Sequence, residues 1–300
     1  MLEVKNIRKT FGSLVAVDNL SFTAKEGEIY GILGTNGAGK TTTFRMILGL
    51  LSSDNGTIEY NGKKIDYSTS PEIGFLVEER ALLVKEKLVD MVTFFCRLKG
   101  MEVTTINKRL DYWLDRFNLT DYKNKKIKEL SKGNQQKVQF ITAVINEPKL
   151  LILDEPFSGM DPLNIEKMIE VIRELQKKGT TIIFSSHRID HVEQFCEELS
   201  VLVEGKVVLS GKIKEIKEDY KKKIVRLDAL GVDVSKLKSI PGVNKVEENM
   251  NEYVIHIDEI SYQKEIFNYV KTLSEVSKFS IEETSLSEIF VEKVGLAYDK

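Results

Sequence analysis

The sequence predicts an α/β protein: a large domain on a mostly parallel sheet with a helical insert, then a smaller α+β module. Three observations lead there. Short apolar runs at Glu28–Leu33, Leu150–Leu153, Thr180–Phe184 and Leu199–Val203 alternate with helical stretches, the pattern of buried parallel strands covered by helices. Between Val84 and Glu129 the apolar spacing changes to three and four residues, as in Leu110, Trp113, Leu114 and Phe117, which marks amphipathic helices. Past a lysine- and glutamate-rich stretch the order becomes strand, helix, hairpin, helix, strand, helix. That order predicts a ferredoxin-like module.

The elements follow in turn. Leu2–Arg8 alternates, Leu20–Ala24 is a second strand, and Glu28–Leu33 feeds a glycine-rich turn and a helix at Thr41–Leu50. Gly56–Ile65 reads as a hairpin turning at Asn61-Gly62, a strong short-range signal. Helices are expected at Asn164–Lys177 and Arg188–Glu197, and Glu204-Gly205-Lys206 is a tight turn into Val207–Ser210. The expected division is a domain at 1–211 with a helical subdomain at 84–148, a linker at 212–223 and an accessory domain at 224–300. Within the last, strands fall at Ile224–Leu230 and Ser277–Glu283, a hairpin at Lys245–Asp258, and helices at Val234–Ile240, Tyr262–Leu273 and Leu286–Val294.

Composition excludes several classes. With 300 residues, 42% hydrophobic and 30% charged, the chain has room for a substantial core. A net charge of -2 gives no general attraction to nucleic acid. The lysine runs at Lys123–Lys128 and Lys212–Lys223 are interrupted or flanked by acids and read as solvated faces or linkers. Cys96 and Cys196 are the two cysteines, without metal-like spacing, which fits a reducing compartment. MLEVKNIRKTFG lacks the apolar run of a signal peptide. No stretch approaches the roughly 18 consecutive apolar residues of a membrane span. A cytoplasmic location is expected, with any membrane role reached through a partner.

GTNGAGKT at Gly34–Thr41 fits G-x-x-x-x-G-K-[ST] and stands between a buried strand and a helix, where a phosphate loop must stand. Gly34, Gly37 and Gly39 let the backbone turn, so that the amides of Thr35, Asn36, Ala38 and Thr42 can join them around an anion. The positive end of the next helix adds to that attraction. Lys40 is the candidate for the β- and γ-phosphates, and the Thr41 hydroxyl for Mg²⁺. A bare glycine turn would not need all four fixed positions. ATP is the expected nucleotide.

LLILDEP at Leu150–Pro156 ends a buried strand on two acids. Unpaired carboxylates are costly to bury, and a Mg²⁺ ion at the strand's carboxyl end would remove that cost. Asp154 is the candidate metal ligand, directly or through water, and Glu155 the candidate for orienting or deprotonating an attacking water. Asp-Glu-Pro alone is an ordinary strand-end turn; the phosphate loop upstream is what favours the metal site.

With these residues the chain resembles the ATP-binding subunit of an ATP-binding cassette (ABC) transporter, a P-loop NTPase. LSKGNQQKV at Leu130–Val138, between the phosphate loop and the Asp-Glu pair, is similar to that family's signature segment. The resemblance implies that Ser131 and Gly133, opening a helix, face the γ-phosphate held by an opposite subunit. It implies that Phe11 stacks on adenine, although alone it would read as a core aromatic. Ser158-Gly159-Met160-Asp161 resembles the loop joining the two sites of the dimer, with Asp161 counted among the nucleotide-binding residues. His187 resembles the switch histidine on the γ-phosphate. His191 and His256 match nothing in the family and read as ordinary surface or strand residues.

Four positions depart from the family pattern. Lys132 stands for a usual glycine and Asn134 for a common glutamine; Glu78, in IGFLVEE at Ile73–Glu79, stands where a glutamine normally reaches Mg²⁺; Thr35 replaces a frequent proline. A carboxylate at Glu78 can still bind the metal or its water. With the ending TSLSEIF (Thr284–Phe290), these features resemble bacterial exporter ATPases that pair with a separate permease, of sodium- or drug-efflux type. The implied mechanism is a head-to-tail dimer of two copies holding two ATP and driving an integral membrane permease from the inner face of the membrane. The rival readings are a non-transport ABC ATPase working on ribosomes or DNA, and a ligand-regulated ATPase. A single phosphate loop, without long coiled-coil or zinc-bearing inserts, speaks against the first.

Overall fold

The amino-terminal strands β1 (Leu2–Phe11) and β2 (Leu14–Ala24) pair antiparallel, with Val4 opposite Phe22. Their alternation puts Leu2, Val4, Leu20 and Phe22 into the core. β3 (Ile29–Gly34), buried at every position, leads through the glycine-rich loop into α1 (Lys40–Ile47). β4 (Asn55–Tyr60) then returns along the other edge of β1, Ile58 opposite Val4. The hairpin expected at Gly56–Ile65 is therefore only a turn. Asn61 and Gly62 take positive φ values of 51° and 73°, yet beyond them only Lys63 bridges back to Tyr60. Pairing with β1 satisfies the β4 backbone instead.

β5 (Ile73–Leu76) is a strand to which the sequence pattern assigns no element. Four residues are too few to show a period. The helical insert follows as α2 (Leu88–Leu98), α3 (Val103–Arg116) and α4 (Lys132–Val144). It has an aromatic interior, in which Trp113 stacks on Phe117 and Phe117 meets Phe140 of α4 edge-on. Gly74 is where α4 lies on β5: a Cβ there would stand 2.1 Å from the Ala143 carbonyl oxygen. The computed structural model describes residues 1–76, 83–220, 222–249 and 252–298; Glu78 lies outside them.

Four more strands and two helices finish this part: β6 (Leu150–Asp154), α5 (Pro162–Lys177), β7 (Thr181–Ser186), α6 (Ile189–Phe195), β8 (Glu198–Val203) and β9 (Lys206–Lys212). The sheet order is β4-β1-β2-β9-β8-β3-β7-β6-β5. β8, β3, β7, β6 and β5 run parallel, and the antiparallel β4-β1-β2 group flanks them. β3, β6 and β7 are buried throughout, which is why they read as unbroken apolar runs. The register sets Leu33 beside Ser186 and Asp154 beside Ser185. Three carboxyl ends thus open on one crevice, where open α/β sheets bind ligands.

The chain divides into two compact units, Met1–Gly211 and Lys212–Lys300. The second begins with α7 (Ile213–Asp219), a helix in the stretch expected to be a linker. Lys212–Glu215 and Lys214–Glu218 pairs run along it at helical spacing. Next come β10 (Lys223–Leu230), α8 (Val234–Ser239), β11 (Val243–Asn249), β12 (Glu252–Ile257), α9 (Gln263–Val270), β13 (Glu275–Glu283) and α10 (Leu286–Tyr298). The sheet is antiparallel in the order β11-β12-β10-β13, which is the ferredoxin-like order. Val225, Leu227, Ile255 and Ile257 pack one face of it on Leu237, Ile266 and Val270.

Candidate functional site

The phosphate loop is shaped by positions that only glycine fits. Gly39 caps α1 with φ 102°, and a Cβ on it would lie 2.3 Å from the Ala16 carbonyl oxygen. A Cβ on Gly34 would lie 2.6 Å from the Leu202 carbonyl oxygen. Phe11 and the residues from Thr35 to Thr42 line a cavity of about 850 Å³, joined by Leu14 and Glu204. Phe11 is half exposed at its rim, with the Lys9 ammonium 5.7 Å from its ring centre. Lys40 curls back over the loop: its ammonium donates to the carbonyl oxygens of Gly34 at 2.7 Å and Thr35 at 3.2 Å.

Beside the loop, β6 delivers Asp154 and Glu155, only 1% and 5% exposed. Asp154 accepts from the Thr41 hydroxyl at 2.8 Å and the Ser185 hydroxyl at 2.6 Å. Burial pushes its carboxyl above the usual range and the neighbouring Glu155 adds to that; the two hydroxyls and Lys40 work in the opposite direction. Glu155 has φ 47°, a left-handed backbone unusual for a side chain of this size. Its Oε2 lies 2.9 Å from His187 Nδ1. Its Oε1 lies 3.3 Å from the Lys40 ammonium but makes no hydrogen bond. A buried acid so placed, between an ammonium and an imidazole and with one free oxygen, is suited to accept a proton from a bound water.

A hydroxyl and a carboxylate oxygen 2.8 Å apart, from Thr41 and Asp154, form a hard-oxygen pair. Such a pair fits Mg²⁺, which binds through one or two carboxylates plus substrate phosphates and water.

The other expected site residues fall apart from this cavity. Ser131 caps α4, accepting the Asn134 amide at 3.2 Å. Ser131 and Gly133 do not line the phosphate-loop cavity. A Cβ on Gly133 would instead stand 3.4 Å from the Gly159 carbonyl oxygen. Asp161 is occupied as the cap of α5, accepting the Asn164 amide at 3.1 Å; its carboxylate serves a helix and not the cavity. Ser158, Gly159 and Met160 join Glu155 and His187 around a second hollow of about 270 Å³. His191, expected to be ordinary surface, is buried on α6 edge-on to Phe157, and burial pulls its imidazole below the usual value. Two supporting residues escaped the sequence reading. Ser185 bridges Asp154 and the Glu155 amide, and Gln136 donates to the Pro156 carbonyl at 2.9 Å.

This assembly defines a P-loop ATPase. Residues 17–158 match the family model for ABC transporters, and residues 211–294 the C-terminal domain of DrrA1-3-like ATP-binding proteins. The ABC transporter ATP-binding protein YhaQ of Bacillus subtilis is 48% identical over 299 residues, covering 100% of both chains. The linearmycin resistance ATP-binding protein LnrL of the same organism is 29% identical, covering 98% of each. A dimeric ATP-binding cassette in a post-hydrolysis state with ADP and Pi superposes with a TM-score of 0.65 at 26% identity, over 71% of this chain and 99% of that one. The chain belongs to the ABC transporter family and is an ATP-binding, ATP-hydrolysing subunit. Cassettes of this family form dimers and work with membrane components. No described helix is long and apolar enough to cross a membrane.

Proposed function

We propose that this chain powers export through a separately encoded membrane permease by closing head-to-tail on a second copy around two ATP and Mg²⁺. In this reading Phe11 stacks on adenine, the amides of Gly34–Thr42 and Lys40 hold the phosphates, and Ser131 and Gly133 complete the partner copy's site. Thr41 and Asp154 would hold Mg²⁺, with Glu78 a further candidate ligand; the ion would supply charge neutralisation to the phosphates when bound. Glu155 takes the proton of the attacking water, while His187 orients Glu155 and touches the γ-phosphate. Asp161 ends the loop that links the two sites and holds it to α5. The single observation behind this reading is the half-formed site. One chain supplies the loop cavity, but its own helix-capping Ser131 and Gly133 stand outside it. Export is favoured by the likeness over 98% of each chain to LnrL, named for linearmycin resistance.

Glu155→Gln is the test. It removes the proton acceptor and keeps the shape, so hydrolysis should fall by at least about 10²-fold while ATP still binds. The trapped ATP state should then run as a dimer on size exclusion, and Ser131→Arg should abolish that dimer. Unaltered turnover in Glu155→Gln would overturn the role given to Glu155. A strictly monomeric ATP-bound protein would overturn the shared site.

A further inference from the structure

Glu155 sits in a backbone conformation that a glutamate does not choose for itself, and side chains from two other elements grip the peptides on either side of it. Toward β6, the Glu155 amide donates to Ser185 Oγ at 3.1 Å, and the same hydroxyl donates to Asp154. Toward the Ser158–Asp161 loop, the grip comes from Gln136. Its amide nitrogen donates to the Pro156 carbonyl at 2.9 Å and lies 3.5 Å from the Glu155 carbonyl. Gln136 is 3% exposed and sits in the second turn of α4, the helix capped by Ser131. Its neighbour Lys137, also buried, donates to the Phe117 carbonyl at the end of α3. Adjacent residues of α4 thus fasten that helix on one side to the peptides after β6 and on the other to the end of α3.

A φ of 47° persists only where the surroundings over-determine it. That conformation turns the Glu155 carboxylate back toward Lys40 and His187. We propose that Gln136 is a positioning residue for hydrolysis: its amide holds the 155–156 peptides so that Glu155 keeps its aim, and ties that aim to the place of α4. The proposal rests on the reading of Glu155 as the proton acceptor. In consequence, any pull on the amino end of α4 by a partner copy's nucleotide reaches Glu155 of the same chain through one side chain.

The test uses the full chain and two substitutions of matching length, Gln136→Met and Gln136→Glu, neither of which keeps the amide donor. Steady-state hydrolysis, ATP affinity by a fluorescent analogue and the thermal midpoint are measured for each. A misplaced base costs rate and not binding, so kcat should fall by roughly 10- to 10²-fold. KM and Kd for ATP should stay within about threefold of the parent. Residues that act through one group are non-additive, so Gln136→Met added to Glu155→Gln should slow the residual rate no further. Retention of kcat within about twofold in either folded variant overturns the proposal. So does a loss shared between KM and kcat, or a double variant in which the two losses multiply. If Glu155→Gln by itself leaves turnover unaltered, the failure belongs to the proton-acceptor reading and is seen before Gln136 is touched.

Discussion

Lys99 gives a perturbation whose size can be worked from the structure. It ends α2, and its ammonium reaches out of the insert to the Ile73 carbonyl of β5 at 2.7 Å and to Asn146 Oδ1 at 3.4 Å. Among the described residues Cys96 is the titratable group that acts on it, and burial pushes the Cys96 thiol up to about 11, so it stays neutral at pH 7. Burial lowers the Lys99 amine from 10.5 to about 8. Below pH 8 both folded and unfolded chains carry the proton, and the penalty of burying the charge acts in full. At 1.36 kcal/mol per pH unit that penalty is about 3 kcal/mol. Above pH 8 the folded state sheds its proton first, the unfolded chain binds more protons, and stability rises until about pH 10.5.

Lys99→Met removes the charge and keeps the apolar stem. At pH 7 it should gain about 3 kcal/mol and lose about 1 for the forfeited bond to Ile73, a net stabilisation of about 2. From pH 7 to pH 9.5 that advantage should shrink by about 2 kcal/mol, because the parent is relieved of its own penalty over the same window. Urea unfolding followed by the fluorescence of Trp113, the one tryptophan in the chain and buried in the insert, reads the difference. A stability difference that does not change between pH 7 and 9.5 would show that Lys99 is not a buried charge of this kind. A destabilised variant at pH 7 would show that the hydrogen bonds outweigh the burial.

Other outcomes follow from the site. Asp154→Asn should raise the thermal midpoint of the nucleotide-free protein at neutral pH, since burial pushes the Asp154 carboxyl up and resists its charge. The same variant should lose the extra stabilisation that Mg²⁺ adds to ATP, read by differential scanning fluorimetry with and without the metal. Gly39→Ala should abolish ATP binding and destabilise the fold by about 1–3 kcal/mol, through strain at φ 102° and a collision with the Ala16 carbonyl; equilibrium dialysis with ATP checks it.

The parts of the molecule that were legible in the sequence share a physical cause. β3, β6 and β7 are buried on both faces, so their apolar runs cannot be diluted by solvent-facing residues. Gly34, Gly39, Lys40 and the Asp154-Glu155 pair stand at the ends of those runs, where a polar or glycine-rich sequence stops being compatible with core. The residues that escaped notice act at a distance in the chain. Ser185 reaches Asp154 across 31 positions and Gln136 reaches Pro156 across 20, and no local pattern announces a serine in a strand or a glutamine in a helix as a clamp. β5 was hidden by its length and by Gly74, whose missing side chain is demanded by α4 above it and by nothing nearby in the chain. His191 was misread for a related reason: a histidine on a short helix looks exposed until Phe157 is brought over it.

The arrangement of charge in the crevice carries the argument one step further. Asp154 and Glu155 are buried carboxylates side by side, and the Lys40 ammonium is the cation that reaches Glu155, at 3.3 Å. Two of the hydrogen bonds that ammonium makes go to carbonyl oxygens of the loop it belongs to, so the ion pair holds the loop in its curled form. Entering phosphates offer Lys40 stronger, fully charged partners. Drawing the ammonium toward them leaves Glu155 with His187 as its remaining partner and with Oε1 free to accept. On the proposed roles of Lys40 and Glu155, nucleotide binding and the readiness of the base would be the same event, carried by one lysine. In this scheme Lys40→Ala would weaken ATP binding and remove the ammonium 3.3 Å from Glu155, so the carboxylate would lose the partner that readies it and turnover would stay low even where ATP is supplied in excess. Restoring saturation with high ATP should therefore not restore kcat, whereas a Lys40 that only bound phosphate would leave a rate recoverable by concentration.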